Sequence, residues 1–153
     1  MTDSPAVDGS LGADRRELVQ RTRSALDFVH AEFHHAELVD WRCQDLSFAH
    51  ASFRETLLVN GVFQDCNFSD SLLDHTVLVG CTFSGSLFYA ALILGVTFKD
   101  CVLQNVDFRR AMFRGCYFEG CQIKGCTFHD GLIFDNDLDL SADTLRASNA
   151  FLR

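Results

Sequence analysis

The stretch VTFKD CVLQN VDFRR AMFRG CYF, residues 96–118, sets Phe98, Leu103, Phe108, Phe113 and Phe118 five residues apart. Followed outward in both directions, the same step runs unbroken from Phe28 to Leu138. It covers 23 positions: thirteen Phe, six Leu, three Ile and Cys43. Thirteen of the 15 phenylalanines in the 153-residue chain fall on this one register. A second register, two residues earlier, is mostly small. It holds Ala31, Ala36, Ala51, Ala91 and Ala111, then Cys66, Cys81, Cys101, Cys116, Cys121 and Cys126, with Ser, Thr, Gly and Val between them. Leu26, Trp41, Leu46 and Asn136 depart from the pattern.

A period of five matches neither the 3.6 of a helix nor the 2 of a strand. It suits a chain that turns a corner every five residues and points two side chains inward on each side. Four sides close one coil in 20 residues, and sorting by 20 yields uniform columns. Phe28, Phe48, Phe68, Phe88, Phe108 and Phe128 form one; Cys81, Cys101 and Cys121 form part of another. Such columns call for stacked parallel strands in register, with side-chain ladders running along a rod. An open solenoid end exposes core and unpaired backbone, so caps are expected. Residues 14–25 read as a short N-terminal helix facing the first coil with Leu18, Val19 and Ala25. Ser141 reads as the N-cap of a C-terminal helix to about Leu152. The chain therefore divides into an N-terminal tail and capping helix (1–25), a repeat region (26–140) and a C-terminal capping or dimerisation helix (141–153).

Segments such as Cys66-Asn67-Phe68-Ser69-Asp70 and Ala111-Met112-Phe113-Arg114-Gly115 resemble the pentapeptide-repeat family. The resemblance spans 26–140. It implies an all-β solenoid, a right-handed quadrilateral parallel β-helix of about six coils with short helical caps. At the usual strand spacing the rod is about 28 Å long. Quinolone-resistance members of that family bind DNA gyrase and topoisomerase IV as dimers by mimicking DNA. This sequence is similar to them in its Phe- and Cys-rich register, which implies a protein partner of that kind and a homodimer.

Composition narrows the function classes. Thirteen Lys and Arg against 21 Asp and Glu give a formal charge of −8, which disfavours direct contact with nucleic acid or an anionic membrane. No apolar run approaches the roughly 20 residues of a spanning helix, and Met1–Ala13 lacks the layout of a signal peptide. Seven cysteines, an odd number, without a secretory signal point to free thiols in a reducing cytoplasm. Cys116, Cys121 and Cys126 lack the short knuckle of a zinc site and read as small buried side chains. His30 and His50 stack but bring no further ligands with them. The sequence carries no Ser-His-Asp order, phosphate loop or HExxH pattern, so neither enzyme chemistry nor a cofactor is expected.

Function then rests on the outward positions. The side made of 36–40, 56–60, 76–80, 96–100, 116–120 and 136–140 carries Glu37, Asp40, Asp100, Glu119, Asp137 and Asp139 against Lys99 alone. This is the candidate acidic partner-binding face. An apolar strip runs through the middle of the same side as Leu57, Val59, Val77 and Val79 and onto the adjacent side as Leu72, Leu92 and Leu94. Outward valines follow from strand propensity, whereas outward leucines do not, and a contiguous apolar strip marks a protein contact. Two readings follow: an acidic DNA mimic bound to a topoisomerase, or a scaffold that binds a protein or its own copy through the strip.

Overall fold

The computed structural model describes residues 28–128, 130–134 and 137–138. Five residues per side leave room for one three-residue strand and a corner. In chain order the strands are β1 (Glu37–Val39), β2 (Arg42–Gln44), β3 (Ser52–Arg54), β4 (Leu57–Val59), β5 (Val62–Gln64), β6 (Leu72–Asp74), β7 (Val77–Val79) and β8 (Thr82–Ser84). They continue with β9 (Leu92–Leu94), β10 (Thr97–Lys99), β11 (Val102–Gln104), β12 (Met112–Arg114), β13 (Tyr117–Glu119), β14 (Gln122–Lys124), β15 (Leu132–Phe134) and β16 (Asp137–Leu138). Three parallel sheets result: six-stranded β1-β4-β7-β10-β13-β16, five-stranded β2-β5-β8-β11-β14 and five-stranded β3-β6-β9-β12-β15. Register is 20 residues everywhere, as in Leu38 on Leu58 and Phe113 on Ile133. The fourth side is held by single bridges, Ser47–Asn67–Leu87–Asp107–Thr127. The chain is thus a right-handed quadrilateral parallel β-helix. The capping helices expected at 14–25 and 141–152 lie outside the described residues.

The corners have a backbone signature. Every fifth residue from His30 to Asp130 has φ between 51° and 66°, fifteen of them non-glycine and six glycine. That left-handed conformation costs most L-residues roughly 1–2 kcal/mol, least for Gly, Asn and Asp, with His also enriched there. The corners are accordingly Asp, Asn, His or Gly except at Glu55, Ala90 and Arg110. Much of the chain's Asp content is therefore set by the turn and not by surface function.

Inside, the Phe column stacks ring on ring: Phe28–Phe48 at 5.0 Å, Phe48–Phe68 and Phe68–Phe88 at 4.7 Å, Phe108–Phe128 at 5.1 Å. Adjacent columns meet edge-on, as in Phe63–Phe68 and Phe83–Phe88, the offset and T-shaped arrangements aromatic rings prefer. Each buried Phe contributes about 1.5–3 kcal/mol relative to exposure. Trp41, the large departure from the small column, fills the first coil against Phe28 and Phe33, both 5.8 Å away. Gly61 stands directly above it, and a Cβ there would meet the Phe63 ring at 2.6 Å.

The small column divides by side. On three sides its hydroxyls and thiols donate to the carbonyl 23 residues earlier: Thr56 to Phe33, Thr76 to Phe53, Cys81 to Leu58, Ser86 to Phe63, Cys101 to Leu78, Cys116 to Ile93, Cys121 to Phe98 and Cys126 to Leu103. After the bridged side, the carbonyl of the stacked Phe instead accepts a turn N–H, as Phe48 does from Ala51 at 3.0 Å and Phe88 from Ala91 at 3.1 Å. There the column reads Ala31, Ala51, Ser71, Ala91, Ala111 and Gly131, nearly without donors. Cys81, Cys101, Cys116, Cys121 and Cys126 are thus short donors built into corners. Burial pushes the Cys116 thiol up to about 11 and raises Cys43 and Cys126 as well, which keeps these thiols protonated and unreactive.

Candidate protein-binding surfaces

Side chains before and after each central residue point outward, so each sheet presents two ladders along the rod, flanked by corner residues. On the β1 sheet, Glu37 begins one ladder and is followed by Leu57, Val77, Thr97 and Tyr117. The other runs Val39, Val59, Val79, Lys99 and Glu119. Asp40 and Asp100 are corners with φ of 57° and 52°. The acidic face is therefore split. Glu37 and Asp40 sit at one end; Asp100 and Glu119 adjoin at the other, where the Asp100 N–H donates to the Glu119 carbonyl at 2.8 Å. Three coils separate the two ends, about 14 Å, and the apolar ladders fill the gap. Lys99 lies 3.8 Å from Glu119 with both side chains about half exposed, a pair worth little in water. Asp137 belongs to β16 with its side chain outside the description, and Asp139 lies outside the described residues.

The apolar strip assembles around one corner. Leu57, Val59, Val77 and Val79 occupy β4 and β7, and Leu72, Leu92 and Leu94 occupy β6 and β9 on the adjoining sheet. Ladder neighbours half-bury most of them, while Val77 at 37% and Leu92 at 43% remain exposed. Leu87, 41% exposed on the bridged side, extends the apolar surface beyond the residues singled out in the sequence.

The sequence also shows a basic cluster, Arg109, Arg110 and Arg114, which interrupts the acidic surface. Arg109 grips Asp107 through Nε at 2.9 Å and Nη2 at 2.8 Å, and its backbone N–H donates to the same carboxylate at 2.9 Å. These bonds from Arg109 hold the Asp107 carboxyl below its usual range. Arg110 donates to the Tyr89 hydroxyl at 3.2 Å, and both guanidiniums lie 5.9 Å from the Tyr89 ring. Arg114 follows on β12. Their adjacency in sequence is visible, but their fixing by Asp107 and Tyr89 depends on coil stacking.

Two family models match the sequence, both described as pentapeptide repeats, one over residues 47–88 and the other over 78–122. The chain belongs to the pentapeptide-repeat family. Comparison with curated proteins gives no significant match. Among solved structures, this pentapeptide-repeat chain is similar to a trypsin-treated variant of QnrB1, a plasmid-mediated fluoroquinolone resistance protein. That match has a TM-score of 0.59 at 24% identity and covers 67% of this chain and 55% of QnrB1. It is also similar to Rfr23 from the cyanobacterium Cyanothece 51142, with TM-score 0.56 and 13% identity over 71% of this chain and 91% of that one. Both likenesses concern the fold, and this chain spans little more than half the length of QnrB1.

Proposed function

We propose that this pentapeptide-repeat chain is a non-catalytic protein-binding rod that works in the cytoplasm as a homodimer. In this reading it presents the carboxylates of its β1 sheet to DNA gyrase or topoisomerase IV in place of DNA. The carrying observation is the placing of Glu37 and Asp40 at one end of the β1 sheet and Asp100 and Glu119 at the other, on one continuous parallel sheet. Carboxylates at fixed spacing on a rigid rod can occupy a cationic groove through the electrostatics that hold duplex DNA. The fold shared with QnrB1, itself a fluoroquinolone resistance protein, supports the choice of partner.

The test is supercoiling by purified gyrase with increasing amounts of the chain, with and without a quinolone, at two salt concentrations. Inhibition or drug protection that fades at high salt, and is lost in Glu37→Lys/Asp100→Asn/Glu119→Lys, is the expected result. No effect at micromolar protein overturns the topoisomerase reading. The exposure of Val77 and Leu92 then favours the second reading, a scaffold that binds through its apolar strip.

A further inference from the structure

The outer surface of the β3 sheet is banded by charge, and the banding is antisymmetric. One coil presents Asp70, Leu72 and Asp74 across the face; the next presents Ala90, Leu92 and Leu94; the third presents Arg110, Met112 and Arg114. Strand register stacks these rows directly, Leu72 on Leu92 on Met112 and Asp74 on Leu94 on Arg114. The corners stack likewise, since the Asp70 N–H donates to the Tyr89 carbonyl at 2.9 Å and the Ala90 N–H to the Arg109 carbonyl at 3.0 Å. An acidic row and a basic row thus flank an apolar row at equal distance, one coil or about 4.8 Å to either side.

From this pattern we infer that the β3 sheet is the docking face for a second copy of the chain, antiparallel to the first, with the two-fold axis lying along β9. This deepens the homodimer part of the proposed function by naming its face and register. A two-fold axis in the interface plane and across the rod sends each residue to its own column, as many coils above β9 as it lay below. Asp70 then meets Arg110 of the second copy, Asp74 meets Arg114 and Leu72 meets Met112, while Leu92 and Leu94 meet themselves. Each contact between unlike residues occurs twice and each self-contact once, on the axis, as an isologous interface requires.

In the next rows only the corner column pairs by charge; the strand columns carry Ser52 onto Leu132 and Arg54 onto Phe134. His50, in the corner column below Asp70, is carried onto Asp130, in the same column above Arg110. Within one copy the carboxylates are already steadied from below, Asp74 by Arg54 at 3.4 Å and Asp70 by His50 at 3.9 Å. Arg110 is steadied by Tyr89. Three of the four charges that would meet, Asp70, Asp74 and Arg110, are therefore held in place before docking. The parallel arrangement is disfavoured, because it sets acidic row on acidic row and arginine row on arginine row. The Leu92 side chain, 43% exposed, lies on the axis.

One face of a narrow rod covers on the order of 400 Å² per copy, about half a standard interface, so the self-association is expected to be weak. Salt weakens both these pairs and the repulsion between two chains of charge −8, so a salt titration does not decide the matter. Charge exchange does. Sedimentation velocity on the full chain from 1 µM to about 500 µM should show self-association. Both Arg110→Asp/Arg114→Asp and Asp70→Arg/Asp74→Arg should weaken it roughly 30-fold or more, by placing like charges opposite each other. A mixture of the two variants should associate as strongly as the parent chain, and so should the chain carrying all four substitutions. A misfolded variant could do neither. Self-association that ignores all four substitutions overturns this docking face while leaving a homodimer through another surface standing. A chain that stays monomeric throughout overturns both. The gyrase assay addresses the β1 sheet and is independent of either result.

Discussion

The division of the small column between donors and alanines makes a sharp prediction, since it assigns opposite signs to one substitution at two equally buried serines. Ser71 and Ser86 are both fully buried, and both stand two residues before a central position. Ser86 Oγ donates to the Phe63 carbonyl at 3.2 Å and accepts the Cys66 N–H at 3.1 Å. Ser71 follows the bridged side, where its own backbone N–H already reaches the Phe68 carbonyl at 3.2 Å, and its hydroxyl has no partner among the described residues. Ser86→Ala removes two buried hydrogen bonds at about 1 kcal/mol each, so it should destabilise by roughly 2 kcal/mol. Ser71→Ala removes an unpaired buried hydroxyl and leaves a methyl group in an apolar corner, so it should stabilise by about 1 kcal/mol. Equilibrium urea unfolding of the two variants beside the parent chain measures both, with the midpoint shift read at unchanged slope. If Ser71→Ala destabilises by as much as Ser86→Ala, the turn hydrogen bond does not decide the column, and the account of the cysteines as corner donors falls with it.

Three further outcomes are expected. Ala90 has φ 57°, so Ala90→Gly should stabilise by about 0.5–1 kcal/mol once the backbone entropy of glycine is set against relief of the left-handed strain, and thermal unfolding would show it. Gly115→Ala should cost a similar amount through strain alone, because a Cβ there meets nothing within 4 Å. The Asp107 carboxyl is held below its ordinary range, chiefly by the hydrogen bonds from Arg109, so its contribution is present above the unfolded value near pH 4 and is lost as pH falls through the lower folded value. Asp107→Asn should therefore melt below the parent at pH 7, and the gap should close under acidic titration.

The fold was legible because a single period controlled it. Phe28 to Leu138 on one register specified the coil, the core and the strand register together, since all three follow from stacking identical five-residue sides. The corners were less so. Asp45, Asp65, Asn105 and Gly125 read as generic polar surface until the backbone shows each with positive φ. The signal was present as a bias toward Asp, Asn, His and Gly two residues after each central position, but only a turn geometry gives that bias a meaning. The surfaces were half legible. Sorting by side put Glu37, Glu119, Leu57, Leu72, Leu92 and Leu94 on the sides where their strands lie. Summing charge over a side, however, cancels Asp70 and Asp74 against Arg110 and Arg114 and hides their ordering from coil to coil.

The corner rule also changes what the acidity of the chain can mean. Asp40 and Asp100 sit where the backbone favours Asp with or without a partner, so their presence says little about binding. Glu37, Glu119, Asp74 and Arg114 sit at strand positions, where no such demand exists and β-propensity disfavours the acids. These side chains are the ones a binding surface has reason to keep. The two kinds of position also call for different substitutions. At Asp100, Asn removes the charge and keeps a residue suited to positive φ, so a change in gyrase inhibition by Asp100→Asn is electrostatic and not a corner coming apart. At Glu37 and Glu119 reversal to Lys leaves the corners untouched. If Asp100→Asn matters and the strand reversals do not, the corner carboxylates carry the interaction and the β1 sheet is only their support. If the reversals at Glu37 and Glu119 dominate, the flat face itself is what the partner reads.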